Sequence, residues 1–281
     1  MKLIYIANLR LPTEKAHGVQ IMQMCHATAH PHDQRSKIQN QKFGIDDVVL
    51  VVPFRWRTSG LRGVKDIFAY YGVERSFHII RLPSLDLFPL ARIFPFLDRV
   101  AFALQYGTFL VSLGVFLAIR YTLKATSPIV YTRDSRIVRL ALWFSKRVFL
   151  ELHTIPRADD ISAAKSAIGV VTVTHKLKEM LVEGGVAEGN ILVAPDGVDL
   201  EAFDRITDTA EVLRKRLGLP LDAKLIGYMG RLKTMDTEKG IPDLLEAFAK
   251  LQQTDAHARL IIVGGARGTP RRIMTPCGCD T

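Results

Sequence analysis

Ala194-Pro195-Asp196-Gly197-Val198-Asp199-Leu200-Glu201-Ala202-Phe203 is followed by a second signal, the apolar run Leu225-Ile226-Gly227-Tyr228-Met229. That run stops at Gly230-Arg231, and Lys239-Gly240 follows in the next loop. A strand that ends in glycine and leads to two spaced cations suits a diphosphate. Glycine lets the backbone approach the anion, and Arg and Lys supply charge-assisted hydrogen bonds to its oxygens. Together the two stretches predict two domains with a nucleotide-binding cleft between them.

Working outward, short apolar runs alternate with helix-like segments. The predicted strands are Leu3–Ala7, Asp47–Val52, Phe77–Leu82, Pro128–Thr132, Val148–Leu152, Gly169–Thr174 and Ile191–Ala194. Helices are predicted over Val19–Ala29 and from His175 to Glu183, the latter with Thr174 as N-cap. The strands are continuously apolar rather than alternating, which argues an α/β fold with a parallel sheet covered on both faces. Residues 204–222 are polar and helical, closed by Gly218 and Pro220, and are read as the linker. A second βαβ unit follows: strand Lys224–Met229, helix Ile241–Gln252 and strand Leu260–Val263. Residues 266–281 then lose all periodicity. The predicted layout is a first domain over 1–203, a linker over 204–222, the start of a second domain over 223–265, and an irregular tail.

The chain has 281 residues, a formal charge of +10 and 48% hydrophobic residues, an ordinary globular composition long enough for two cores. The basic balance favours an anionic partner. No compact Lys/Arg run is interleaved with aromatics, which argues against nucleic acid. Three cysteines, Cys25, Cys277 and Cys279, make no disulfide framework and suit a reducing, cytoplasmic setting. The start, Met1-Lys2-Leu3-Ile4-Tyr5-Ile6-Ala7, is too short an apolar run for a signal peptide.

Val100–Ile119 carries no charge and reaches membrane-spanning length, between Arg99 and Arg120. Gln105, Tyr106, Thr108, Ser112 and two glycines interrupt it, and it leads straight into a strand, so it reads as a buried helix of the first domain. Leu87–Phe96, with its phenylalanines, prolines and Arg92, suits peripheral contact with a membrane surface.

Five segments carry a family resemblance: Tyr5-Ile6-Ala7-Asn8 through Gly18, Glu151-Leu152-His153, Val173-Thr174-His175, Ala194–Phe203, and Gly230-Arg231 with Lys239-Gly240. In order and spacing the chain resembles glycosyltransferase family 4, over about residues 1–265. The resemblance implies a GT-B fold of two Rossmann-like domains, the second incomplete here. It implies transfer of a sugar from a nucleotide-sugar donor to a glycan or lipid-linked acceptor with retention, with no metal. By the same resemblance Gly18 is the glycine of the first strand–helix loop, His153 lies near the transferring sugar, and Arg231 and Lys239 neutralise the donor diphosphate. Gly197 and Gly230 fall at the cleft edge. The family's later pair of glutamates is absent. Glu238 and Glu246 have the spacing but fall in the wrong place, so the chain is read as truncated in its second domain.

Two alternatives stay open: a non-catalytic fragment that binds an acceptor or membrane, and a sugar-nucleotide epimerase of the same fold. His153 also fits a core histidine satisfied by Glu151. Tyr131-Thr132-Arg133-Asp134 reads either as an acceptor contact or as a local Arg–Asp pair. Cys25, His26, His30, His32 and Asp33 match no zinc spacing and read as a polar loop after a helix. Gly264-Gly265 with no helix after it is not a dinucleotide loop.

Overall fold

Every residue of the first strand, β1 (Lys2–Ile6), from Leu3 onward is buried. Successive side chains of a strand point to opposite faces, so a strand apolar at every position must be covered on both. Ile4 and Ile6 enter one apolar layer, and Leu3 and Tyr5 enter the other. This computed structural model describes residues 1–29, 45, 47–56, 61–91, 95–122, 128–230, 232–234 and 237–264. The chain divides into two compact units, Met1–Asp199 and Leu200–Thr281.

In the first unit β1 is followed by α1 (Ala16–Ala29), β2 (Asp47–Pro53), α2 (Ile67–Tyr71), β3 (His78–Leu82), α3 (Phe88–Ala91) and α4 (Asp98–Leu117). Then come β4 (Ile129–Thr132), α5 (Ser135–Ala141), β5 (Val148–Leu152), α6 (Ala158–Ser166), β6 (Gly169–Thr172), α7 (His175–Glu183) and β7 (Ile191–Val193). The strands form one parallel sheet in the order β3-β2-β1-β4-β5-β6-β7. The chain winds outward from β1 to β3, then restarts at β4 on the other side of β1. This is a doubly wound sheet whose switch point lies between β1 and β4. Ligands of such sheets bind outside the carboxyl ends of the strands at that point.

Phe109, Leu113 and Leu117 of α4 pack with Ile137 and Val138 of α5 on one face. Ile21, Met22 and Cys25 of α1, with Ile67 and Tyr71 of α2, cover the other. Local chemistry sets the helix ends. Thr174 caps α7 by accepting from the Leu177 N–H at 3.3 Å, as its position predicts. Asp134 caps α5 through the Arg136 N–H at 2.9 Å.

The uncharged stretch Val100–Ile119 is helical but is core on one side only. Ala101, Gln105, Tyr106, Phe109, Leu113 and Leu117 are buried. Val100, Phe102, Leu104, Val111, Val115 and Ile119 are exposed, Val111 at 69%. It is long and apolar enough to cross a membrane by length and composition, and Phe96 (78% exposed) precedes it.

The second unit opens with α8 (Leu200–Asp204) and α9 (Ala210–Leu217), so the 204–222 stretch holds one full helix between irregular segments. Then follow β8 (Lys224–Met229), β9 (Lys233–Thr234), β10 (Thr237–Glu238), α10 (Ile241–Thr254) and β11 (Ala258–Val263). β8 and β11 pair in parallel and enclose α10 in sequence, the predicted βαβ unit, with Phe248, Ala258 and Leu260 as its small core. β9 and β10 form an antiparallel pair.

Candidate functional site

Glu151 is the last residue but one of β5, a charge inside an apolar strand, and its side chain is 3% exposed. A buried carboxylate is costly unless it is paired and hydrogen-bonded. Here Arg133 grips it with a fork, Nε to Oε2 at 3.0 Å and Nη2 to Oε1 at 2.9 Å. His153 Nε2 lies 2.6 Å from Oε1, and the Tyr5 hydroxyl donates to Oε2 at 3.2 Å. Burial pushes the Glu151 pKa up, but hydrogen bonds and charge from His153 and Arg133 outweigh it and hold the carboxyl at about 2. The hydroxyls of Tyr5 and Tyr131 respond in the opposite direction: burial, then the Glu151 charge, push both well above the usual phenol range. Their rings sit 5.2 Å apart, on residues directly opposite in the β1–β4 ladder.

The network reaches outward from the strand ends. Arg133 Nη1 donates to Gln20 Oε1 of α1 at 2.8 Å, and Gln20 Nε2 hydrogen-bonds the Asp196 carboxylate. His153 Nδ1 stands 3.9 Å from that same carboxylate. His153 is therefore held between a buried carboxylate on Nε2 and a more exposed one facing Nδ1. Arg133, Glu151 and His153 project from the carboxyl ends of β4 and β5, beside the switch point. The arrangement can present an oriented imidazole to a hydroxylated ligand, with the Arg133 charge balanced by Glu151.

The expected residues fall as follows. His153 joins the cluster through its contact with Glu151, as the reading of a histidine satisfied by Glu151 expects. Gly18 is buried in the first turn of α1, and its N–H donates to the Lys15 carbonyl at 2.9 Å. A Cβ there would come within 2.4 Å of Thr13 Cγ2 and 2.7 Å of the Tyr71 hydroxyl, so packing demands the glycine. Gly197 is exposed with open space around it and no left-handed conformation, so no steric rule requires glycine there. Gly230 follows β8 and lies beside Gly264, which follows β11. A Cβ on Gly264 would lie 1.7 Å from the Gly230 carbonyl oxygen, so the two strand ends meet backbone to backbone. Lys239 is exposed, its N–H donating to the Leu232 carbonyl at 3.1 Å, just before the left-handed Gly240 that opens α10. Arg231 lies outside the described residues, as do His30, His32, Asp33, Cys277 and Cys279.

Arg133 pairs with Glu151 rather than with Asp134. Asp134 instead caps α5 and accepts from the Tyr106 hydroxyl at 2.7 Å. Cys25 is fully buried, with burial raising its thiol pKa, and His26 Nδ1 contacts Ser76 Oγ at 2.9 Å. Among the described residues no group of three or more His, Cys, Asp or Glu could hold a metal. Sequence reading missed Arg133 and Tyr5 as partners of Glu151, and Gln20 as a partner of Arg133. The available signal was Glu151 itself, a charge in a strand otherwise made of Val, Phe and Leu.

No protein-family model matches the chain. It is 42% identical over 131 residues to TuaC of Bacillus subtilis (strain 168), named as a teichuronic acid biosynthesis glycosyltransferase, a match covering 47% of this chain and 30% of that protein. It is 33% identical over 121 residues to the D-inositol 3-phosphate glycosyltransferase of Xylanimonas cellulosilytica, covering 41% of this chain and 27% of that one. The chain thus aligns with less than a third of the length of these curated relatives. Among solved structures it is similar to Anabaena Alr3699/HepE in complex with UDP, at a TM-score of 0.57 and 14% identity, covering 95% of this chain and 62% of that one. The α/β fold, with its seven-stranded parallel sheet, matches GT-B glycosyltransferase structures.

Proposed function

We propose that the chain is part of a retaining glycosyltransferase of family 4 that moves a sugar from a nucleotide-sugar donor to a glycan or lipid-linked acceptor. The observation that carries this reading is the Arg133–Glu151–His153 cluster at the carboxyl edge of a doubly wound sheet. The glycosyltransferase relatives and the Anabaena protein, solved with UDP and with UDP-glucose, support a nucleotide-sugar donor. In the reaction, the bond from the anomeric carbon to the diphosphate oxygen breaks. The acceptor hydroxyl oxygen takes its place on the same face, and its proton passes to the departing diphosphate oxygen. The leaving diphosphate gathers negative charge, which Arg231 and Lys239 neutralise. His153, oriented by Glu151, hydrogen-bonds the transferring sugar. No metal takes part.

The outward face of α4, with Phe96 before it and Arg99 and Arg120 at its ends, rests on a membrane surface when the acceptor is lipid-linked. The setting is cytoplasmic, on the inner face of that membrane. The test is transfer by the purified chain from a panel of nucleotide sugars, with a membrane extract as acceptor. Transfer that falls about a hundredfold in His153→Ala and in Lys239→Ala is the expected result. A folded chain that neither binds nor turns over any nucleotide sugar overturns the reading. An isomerised sugar nucleotide made without acceptor would identify an epimerase instead.

A further inference from the structure

Two arginines on neighbouring strand ends are left with unsatisfied donors. Arg10 lies in the segment after β1 and Arg55 in the segment after β2, strands paired in parallel through Ile6 and Val51. The Nε atoms of both are buried without a hydrogen-bond partner among the described residues. Buried donors of this kind are ordinarily satisfied, and each one left over calls for an explanation. Among the described residues, the carboxylate paired with Arg55 is Asp86, itself 1% exposed, and it stands 3.9 Å from Arg55 Nε. Its oxygens are committed elsewhere: Oδ2 accepts from the Trp56 N–H at 2.7 Å, and Oδ1 from the Phe88 N–H at 3.3 Å. The Arg55 guanidinium lies over the Phe88 ring at 4.5 Å, which fixes its plane. Burial, then the nearby Arg10 charge, pull its pKa below the usual value, against Asp86. Among the described residues, two cations and one committed anion leave about one positive charge uncompensated, in a place where desolvation penalises charge.

We propose that Arg10 and Arg55 form an anion site for a phosphate group carried by the acceptor. This rests on the glycosyltransferase reading and narrows its acceptor class. Two guanidinium forks supply donors enough to surround a tetrahedral oxyanion, the geometry for which arginine is suited. The site lies on the same carboxyl edge as the His153 cluster. In the order β2-β1-β4-β5, three strand spacings separate the ends that carry Arg55 and His153, roughly 14 Å along the edge. An acceptor laid along that edge places its phosphate at Arg10 and Arg55 and its reacting hydroxyl near His153.

The test is calorimetric titration of the purified chain with glucose 1-phosphate and with vesicles carrying polyprenyl phosphate, each with saturating UDP present to occupy the donor site. Wild-type chain is expected to bind at least one of these phosphates. Arg10→Gln and Arg55→Gln each weaken it about tenfold or more, Arg55→Lys recovers part of the loss, and exposed Arg139→Gln changes nothing. Binding of the soluble phosphate points to a free sugar phosphate, and binding of the vesicle alone points to a lipid-linked one. Absence of phosphate binding, equal binding by folded Arg10→Gln and Arg55→Gln chains, or equal affinity for acetate overturns the proposal. The outcome is separable from the reading it rests on. Transfer to a phosphorylated acceptor that is unchanged in both variants sinks the phosphate site and leaves the transferase. Failure of transfer with every acceptor sinks the transferase, while the titration still judges the anion site.

Discussion

Glu151 carries more of the candidate site than its neighbours because four side chains from three strand ends converge on it. Removing its charge leaves Arg133 buried without a counter-ion and His153 without its anchor. Glu151→Gln is expected to cost about 3–5 kcal/mol in urea unfolding, the range for breaking a buried pair from one side. The folded-state pKa of about 2 lies below the ordinary 4.5, so the associated stabilisation is complete above pH 4.5 and is lost as pH falls toward 2. That loss amounts to about 3 kcal/mol, read as a steeper acid-unfolding curve for wild type than for Glu151→Gln. Gly18 offers a second test. The Tyr71 hydroxyl accepts from the Thr13 N–H at 2.7 Å and donates to the Thr13 carbonyl at 2.9 Å, closing the segment over Gly18. Gly18→Ala pushes a methyl into that closure and is expected to destabilise by about 1–3 kcal/mol in thermal unfolding. The sequence reading set Gly18 just before a helix, whereas it lies inside the first turn of α1. That its constraint is a tyrosine 53 positions away was not legible, because nothing local marks a long-range contact.

Elements were easier to read than their partners. The runs at β1, β2, β4 and β5 are apolar at nearly every position, and both faces of each are covered, so periodicity alone carried the sheet. α4 was harder. Its hydropathy is high around its whole circumference, so composition reports apolar surface without saying which side meets the sheet. The two sides predict opposite behaviour. Phe109→Ala, on the buried side, is expected to cost about 3–5 kcal/mol in chemical unfolding. Val111→Asp and Val115→Asp, on the exposed side, are expected to change stability by no more than about 0.5 kcal/mol. They should instead reduce sedimentation of the chain with anionic vesicles. Unchanged sedimentation would remove this face from the membrane reading.

At the scale of the whole chain, the first unit has two extensive apolar layers and the described part of the second has a small one. A fragment of residues 1–199 is therefore expected to fold alone and to keep the far-ultraviolet dichroism and cooperative melt of an α/β domain. A fragment that stays unfolded would show that the first sheet depends on later residues. The doubly wound order follows from chain continuity plus the alternation of elements, so the switch point could be anticipated at the level of fold class. The cluster beside it could not. Arg133 and Glu151 are 18 residues apart, and Tyr5 and Glu151 are 146 apart, brought together only by the register of β1, β4 and β5.

Trp56 sits one residue past Arg55, its backbone bound to Asp86 and its ring at the edge of Phe54, 5.7 Å between centroids. The chain has only two tryptophans, and the other, Trp143, is 85% exposed on a different segment. Replacing Trp143 by Phe leaves a single indole emitter next to the paired arginines. The protein thus carries its own optical gauge: when an anion enters between Arg10 and Arg55, the colour and brightness of Trp56 emission register it without any attached dye.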